Sequence, residues 1–479
     1  MRAHIFFATL LISGCTVPNK VWQPVCPEGK ECNLSAMTLK RQTCFVPNNG
    51  RNINCTNSAS TGGKQHSFKI AYLEYPEESI NGTSIPKRDP KQLELILKEL
   101  RSSKRPLLVS VYVHGWHHNA SSEDDNVRKF PNMLARYSYA LLQSGRSNYD
   151  VLGIYIGWRG ESYDGVFSTL TIGDRANAAD IIGRKNGPLS KDLLLIAKEM
   201  QSINSKNRMI VMGHSLGGRV LSRAFLSSIK SGNPQPLGAG TLIVTANAAI
   251  GAEAYRSLYD SNQTSKQERT PMWVNFTAKD DAATNSTYPI ALNMHLLSAD
   301  TPDNKPDTDV TIGHYQPYLT HQISIQNCKP NGTSGESSCG DISELDARSH
   351  TDYWNMNDYR LFTLKYGDPS TPSSIIRHCV FMVDFPRSEL LDNKIKRENC
   401  QLCTGVFEKD YDKATNFNKK IPAKGRMWNV RVDASVFDFA KPSTFMDFAT
   451  HNGYIQTDLT TMLLQLVFEN DINLTTTKN

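Results

Sequence analysis

A chain of 479 residues, 39% hydrophobic and 21% charged, is long enough for one large domain with insertions or for two domains, and can bury a sizeable core. Its 53 basic and 47 acidic residues leave a net charge of +6, spread along the chain rather than bunched. That excess is too small and diffuse to argue for a nucleic-acid partner, while a mild attraction to anionic membrane surfaces stays open.

The chain opens with a short basic start, Met1 to His4, an apolar run from Ile5 to Ile12, and the small residues Ser13 and Gly14. This is the layout of a secretory signal, too short to span a membrane as a stable helix. The junction "LISGC" resembles a bacterial lipobox, which implies cleavage before Cys15 and lipidation of Cys15. Two or more acyl chains suffice for stable anchoring. Thr16, rather than Asp, after that Cys implies sorting to the outer membrane of the cell envelope. Residues 16–62, rich in Asn, Pro, Cys and Thr, read as a tether.

The ten cysteines fit an exported protein. Cys26, Cys32, Cys44 and Cys55 lie close enough to staple a small segment, and Cys328 with Cys339 could close a loop rich in Gly and Ser. Cys400 and Cys403 have the spacing of a redox or zinc half-site, but no second pair or suitably spaced His follows, so they read as structural. With Cys15 set aside the number is odd, so one thiol is free or pairs between chains, unless the lipobox reading is wrong.

Order begins with "SFKIAYLEYP" (67–76), which alternates as a strand, and a helix over Pro90 to Leu100 with Pro at its start. "PLLVSVYVHGW" (106–116) is continuously apolar, as a buried parallel strand should be. A helix over 128–144 and the strand "DVLGIYIGWRG" (150–160) come next, then a helix from Ser190, its N-cap, to Ser202. "RMIVM" is the following strand, Gly217 to Leu226 a helix, and "GTLIVTANAA" and "PMWVNFTAKDD" two more strands. Strands alternating with helices predict an α/β fold, a mostly parallel sheet with helices on both faces. The rhythm fills 63–284. It breaks over 285–425, an insertion that decorates the sheet or caps its edge, and returns over 426–479 with the strand "RMWNVRVDASVF" and a helix near 453–468.

Gly213-His-Ser-Leu-Gly217 matches G-x-S-x-G between an apolar strand and a helix. There Ser215 would sit on a tight turn that lifts Oγ from the sheet while the helix N-terminus offers free N–H groups. The alternative is a glycine-rich turn without chemistry. "HGWHHNA" (114–120), "YIGWRG" (155–160) and "GHSLGG" (213–218) stand in this order, each after a predicted strand. On these three motifs the chain resembles the α/β-hydrolases, and within them a bacterial branch of esterase- and lipase-like proteins, over 105–300 and 425–470. The resemblance implies an α/β-hydrolase fold with a large insertion before the last strand.

Gly115 lets the backbone turn at its strand end, so the N–H groups of Trp116 and Leu216 can meet as an oxyanion hole. Trp116 can also serve as a core aromatic. His117 and His118 are adjacent on a loop and point apart, so no metal site is read there. Arg159 is expected to pair with an acidic residue, a structural reading favoured over substrate binding. In the α/β-hydrolase chain order the acid follows the serine and the histidine comes last. The resemblance aligns a D-x-A-T pattern with Asp281 to Thr284 and so favours Asp281, whereas counting from Thr277 selects Asp280. Lying between the last strand and last helix, His451 fits the base, and "THNGYI" looks like the branch's closing motif. His350, in "RSHTDYWNMNDY", is the rival and would end the fold near 365. "TIGHYQPYLTH" also resembles the branch, which would let His314 and His321 hold that loop; the default reading of each is an ordinary buried or surface histidine.

Together these readings predict a membrane-anchored serine hydrolase that cleaves carboxylic esters, including lipids, without a cofactor. Two alternatives use the same residues: a non-catalytic surface lipoprotein on a hydrolase scaffold, and an amidase or peptidase with the same triad.

Overall fold

The computed structural model describes residues 17–47, 63–162, 171–260, 271–330, 337–341, 359–366, 376–382, 427–433, 449–456 and 459–469, apart from gaps of one to five residues, together with Ile53, Cys55 and Val436. In chain order the strands are β1 (Arg41–Pro47), β2 (Gly63–Tyr75), β3 (Glu77–Ile80), β4 (Thr83–Pro86), β5 (Leu107–Val113), β6 (Asp150–Trp158) and β7 (Arg208–His214). Then come β8 (Thr241–Ala246), β9 (Trp273–Ala278), β10 (His321–Pro330), β11 (Ser337–Asp341), β12 (Tyr359–Tyr366), β13 (Ile376–Met382) and β14 (Met427–Val432). The helices that flank the sheet are α1 (Pro90–Ser102), α2 (Asp125–Gln143), α3 (Ile172–Ile182), α4 (Pro188–Ile203) and α5 (Leu216–Lys230). The C-terminal helix, Leu459–Glu469, packs beside α2.

Among the described residues the main sheet has 12 strands, in the order β1-β2-β6-β5-β7-β8-β9-β14-β10-β12-β13, with β11 paired to β10. From β2 to β10 every neighbouring pair is parallel. Among the described residues the sheet turns antiparallel at its edges, through β1 on one side and β11, β12 and β13 on the other. An antiparallel first strand, the β6–β5 transposition and the parallel run out to β14 make this the α/β-hydrolase fold.

Two cores follow from strand alternation. On β5 and β7, Tyr112, Ile210 and Met212 face α2 and the C-terminal helix, while Val111, Val113, Met209 and Val211 face α1, α3, α4 and α5. Both faces are therefore covered, which is why β5 and β7 are buried at every position.

Several elements differ from expectation. The N-cap of α4 lies three residues earlier than expected, at Gly187 with Pro188 in the first turn, and the Ser190 hydroxyl donates back to the Gly187 carbonyl (3.0 Å) instead of capping. α3 was not expected. Its buried face is made of Ala176, Ala178, Ala179, Ile182 and Arg175, too small and mixed to write an apolar period.

The expected tether is fastened to the domain along its described length. Cys26–Cys32 and Cys44–Cys55 are disulfides, and β1 pairs with β2 along its whole length. Lys98 on α1 donates to the carbonyls of Leu34, Ser35 and Met37 (3.1, 2.6 and 2.6 Å). Side chain-to-backbone bonds and crosslinks hold this segment where apolar periodicity is lacking. In the expected insertion, β10, β12 and β13 lengthen the sheet in its own plane, and Cys328 and Cys339 stand opposite each other in the β10–β11 register. Cys15, Cys400 and Cys403 lie outside the described residues.

Candidate active site

β7 ends at His214, α5 begins at Leu216, and Ser215 makes the turn between them with φ 55° and ψ −119°. A non-glycine residue there is strained by roughly 1–3 kcal/mol and is held only by its surroundings. Those surroundings are explicit. The Ser215 N–H donates to the Ala246 carbonyl at the end of β8 (2.9 Å), and its own carbonyl accepts from Ala249 and Arg219 (3.1 and 3.2 Å). A Cβ on Gly217 would overlap the Val113 and His114 carbonyl oxygens, so the elbow can press against the end of β5 only with glycine there. A Cβ on Gly115 would come within 2.9 Å of Ser215 Cβ, so the Gly115 backbone lies directly beside the serine.

The loop after β5 is locked to the end of β6. His117 N–H donates to Gly160 O and Gly160 N–H to His118 O (3.0 and 3.1 Å), joining "HGWHHNA" to "YIGWRG". His114 is fully buried and nearly parallel to the Trp158 ring, with centroids 5.4 Å apart. Its Nε2 accepts the Trp158 N–H (3.1 Å), so Nδ1 carries the proton given to Gly115 O (2.9 Å). Burial lowers the His114 pKa to about 4, with Asp124 opposing, so the ring is neutral near pH 7. The Trp116 side chain is half-buried and donates to Thr171 (3.3 Å). Its backbone N–H follows Gly115, and the Leu216 N–H is at the first turn of α5, where N–H groups lack intrahelical acceptors.

His117 and His118 each face a different carboxylate, Glu161 (3.3 Å) and Asp124 (3.1 Å). Arg159 reaches Glu77 (3.4 Å), together with Arg175 (2.6 Å), which bears out the structural reading of that arginine.

Of the two aspartates after β9, Asp280 is exposed and Asp281 is fully buried. Both Asp281 oxygens receive His451 Nδ1 (2.9 and 3.1 Å). The Ala283 N–H (3.0 Å) and the Thr284 hydroxyl also donate to this carboxylate. Burial opposes its charge, but the charge of His451 and the hydrogen bonds from His451 and Thr284 together hold its pKa below the ordinary value. Thr284 donates to Asp281, so its oxygen accepts from His314 Nε2 (3.1 Å), and a chain runs from His314 through Thr284 and Asp281 to His451. Burial lowers the His314 pKa to about 4, with Asp281 opposing.

His451 lies in the helical turn Ala449–Asn452. Its carbonyl accepts from His214 Nε2 (2.6 Å) and Asn247 Nδ2 (3.1 Å), and the His214 and His451 rings are 4.7 Å apart. The residue before the serine therefore holds the backbone of the histidine. Burial and the neighbouring His451 drive the His214 pKa well below its ordinary value, so its ring stays neutral. Asn247, with φ 45°, also accepts the Ala278 N–H (2.9 Å) and so ties the ends of β8 and β9 to His451. Asp281 occupies Nδ1, so only Nε2 can serve Ser215. Among the described residues no hydrogen bond joins Ser215 Oγ to that ring, a contact that commonly tightens only when substrate binds. His350 lies outside the described residues.

Reading the sequence alone missed Thr284, Asn247 and the carbonyl-holding part of His214. Thr284 stood inside the D-x-A-T pattern without a role, and Asn247 gave only the signal of a polar residue just past a strand. His314 and His321 behave as loop-holding residues. His321 lies against Trp428 (4.6 Å) and meets Thr320 Oγ1 (2.8 Å). Asn429 draws the same loop down by donating to the Ile312 and Tyr318 carbonyls (2.8 and 3.1 Å).

No protein-family profile matches the chain, and no curated protein does. Among solved structures it is similar to phospholipase PlaB from Legionella pneumophila in complex with thio-NAD, at 15% identity and a TM-score of 0.22, over 49% of this chain and 48% of that one. A second structure of phospholipase PlaB from Legionella pneumophila is similar at 14% identity and a TM-score of 0.21, over 49% of this chain and 50% of that one. The chain thus spans about half the length of each. Among the described residues no helix is long and apolar enough to cross a membrane.

Proposed function

We propose that this chain is a serine hydrolase that cleaves carboxylic esters through Ser215, Asp281 and His451, and that an acylated Cys15 anchors it to the bacterial envelope, in the outer membrane. The observation that carries the reading is the buried Asp281–His451 pair, whose histidine backbone is held by the neighbour of a serine with positive φ. A buried carboxylate on Nδ1 fixes the tautomer in which Nε2 lacks a proton.

Nε2 takes the Ser215 proton as Oγ attacks the ester carbonyl, and the N–H groups of Leu216 and Trp116 receive the oxyanion. His451 then returns the proton to the departing alcohol. Water, deprotonated by the same nitrogen, attacks the acyl-enzyme; His451 then gives that proton to the departing Ser215 Oγ, releasing the acid and restoring the serine.

The test is hydrolysis of p-nitrophenyl esters of graded chain length by a form lacking residues 1–15, with phosphonate labelling alongside. The reading expects Ser215 to be labelled, activity to vanish in Ser215→Ala and His451→Ala, and activity to persist in His350→Ala. Loss in His350→Ala with retention in His451→Ala would overturn the triad. A labelled serine active only on amides would make the protein an amidase or peptidase. A serine that never labels in the folded protein would make it a binding scaffold.

A further inference from the structure

The segment after the proposed anchor begins its described course at the active-site rim. Val17 N–H donates to the Ser162 carbonyl (3.1 Å), and the Val17 carbonyl accepts from Arg159 (3.2 Å). Asn19 forms a two-way bridge with the Glu77 backbone, its Nδ2 donating to the carbonyl (2.5 Å) and its Oδ1 accepting the N–H (2.9 Å). The N–H groups of Trp22 and Gln23 donate to the carboxylate of Glu74, which is only 2% exposed (2.7 and 2.8 Å). Gln92 completes the clasp by donating to both Glu74 and the Gln23 carbonyl (2.9 Å each), and Gln23 reaches the Ala120 carbonyl (3.1 Å).

The partners of this clasp lie at or just beyond the C-terminal ends of β2 and β6, with Gln92 in the first turn of α1 and Glu77 at the start of β3. Glu74 is on the last turn of β2, Arg159 and Ser162 follow β6, and Ala120 closes the loop that carries Trp116. Gly160, between Arg159 and Ser162, is the residue that locks that loop beside Ser215. Pro18, Asn19 and Lys20 are exposed on the outside of the strap. Only two peptide steps separate Cys15 from Val17, a reach of about 7 Å even when fully extended.

We infer that this strap holds the mouth of the Ser215 site against the membrane in which Cys15 is anchored, so that the substrates are ester lipids of that same bilayer. The inference rests on the anchored-hydrolase reading and deepens it. A loose tether would let the domain tumble and sample soluble and membrane esters alike. A strap stitched to the rim removes that freedom and gives lipid esters in the same bilayer a high effective concentration.

The test uses full-length, lipid-modified protein reconstituted in phosphatidylethanolamine–phosphatidylglycerol vesicles. Hydrogen exchange on vesicles, compared with detergent, is expected to slow in residues 117–124 and to stay unchanged in 103–105, at the opposite end of the sheet. A fluorogenic phospholipid in the enzyme's own vesicles should be cleaved at least 10-fold faster than in separate vesicles. A flexible Gly/Ser insertion of about 20 residues between Thr16 and Val17 adds a reach of about 25 Å. It should abolish the protection and most of the same-vesicle preference, with hydrolysis of p-nitrophenyl butyrate unchanged. Protection that persists with the insertion, or that falls on 103–105, overturns the inference, as does equal cleavage in both vesicle populations. Retention of the Cys15→Ala protein on vesicles would instead remove the anchor, and loss of butyrate hydrolysis in wild type would remove the hydrolase.

Discussion

Between His114 and Gly218 the chain builds the serine end of the proposed site from backbone pressed against backbone; between Asn247 and His451 it builds the proposed acid–base end from side chains far apart in sequence. At the serine end, what decides each residue is missing space: Gly217 and Gly115 have no room for a Cβ. At the acid–base end it is donor and acceptor geometry, with Asp281, Thr284, His314 and Asn247 each satisfying a neighbour and His214 reaching across from the serine end to the His451 carbonyl. Steric demands restrict residue type at fixed spacing and so leave a motif. Hydrogen-bond demands can be met by residues from anywhere in the chain, and leave at most short local patterns such as Asp281-Ala-Ala-Thr284.

Breaking the acid–base end should have the largest effect. Asp281→Asn is expected to lower kcat by about 10,000-fold, because the amide favours the wrong tautomer of His451 while leaving the fold intact. Steady-state ester hydrolysis beside an unchanged unfolding midpoint checks this.

Acid reaches both ends at once. His114 and His314 are held at about 4, and His214 well below its ordinary value, by burial. Their unfolded values lie near 6.5, so below that pH the unfolded chain takes up protons that the folded one refuses. Their stabilising contribution is complete above pH 6.5 and is lost as pH falls toward 4, at up to about 1.4 kcal/mol per pH unit for each group. Urea midpoints measured from pH 7 to pH 4 should fall steeply. A flat profile would mean that these rings are already open to water.

Gly217→Ala tests the serine end alone. The added methyl meets the Val113 and His114 carbonyls, which cannot rotate away, so a loss of about 3 kcal/mol in unfolding free energy is expected along with activity. An Ala variant as stable as wild type would show that the elbow has slack.

The smallest effect belongs to the second layer of the acid–base end. Thr284→Val removes one hydrogen bond to the Asp281 carboxylate and should lower kcat about 10-fold with KM unchanged, while Thr284→Ser restores it. Equal rates for Val and Thr would leave Thr284 a packing residue.

The same contrast explains what the sequence made legible. The continuous apolar runs of β5 and β7 and the glycine spacing around Ser215 fixed the sheet and the elbow in advance, since burial on both faces and lack of space both restrict residue type. Asp281 and His451 were reached by chain order and by resemblance to a motif, with Asp280 and His350 left open. The D-x-A-T likeness and the count from Thr277 pointed to different aspartates, and burial separates them. The ordered strap at 17–26 was invisible for a related reason. Its anchors, Glu74 and Gln92, lie on β2 and α1 and look there like ordinary polar residues.

Ser215 occupies a backbone conformation that any side chain resists. Glycine adopts it at almost no cost, so Ser215→Gly should raise the urea midpoint, by roughly 1 kcal/mol in folding free energy, while ending catalysis. On the proposed function, a serine at that angle is stability given up for reactivity.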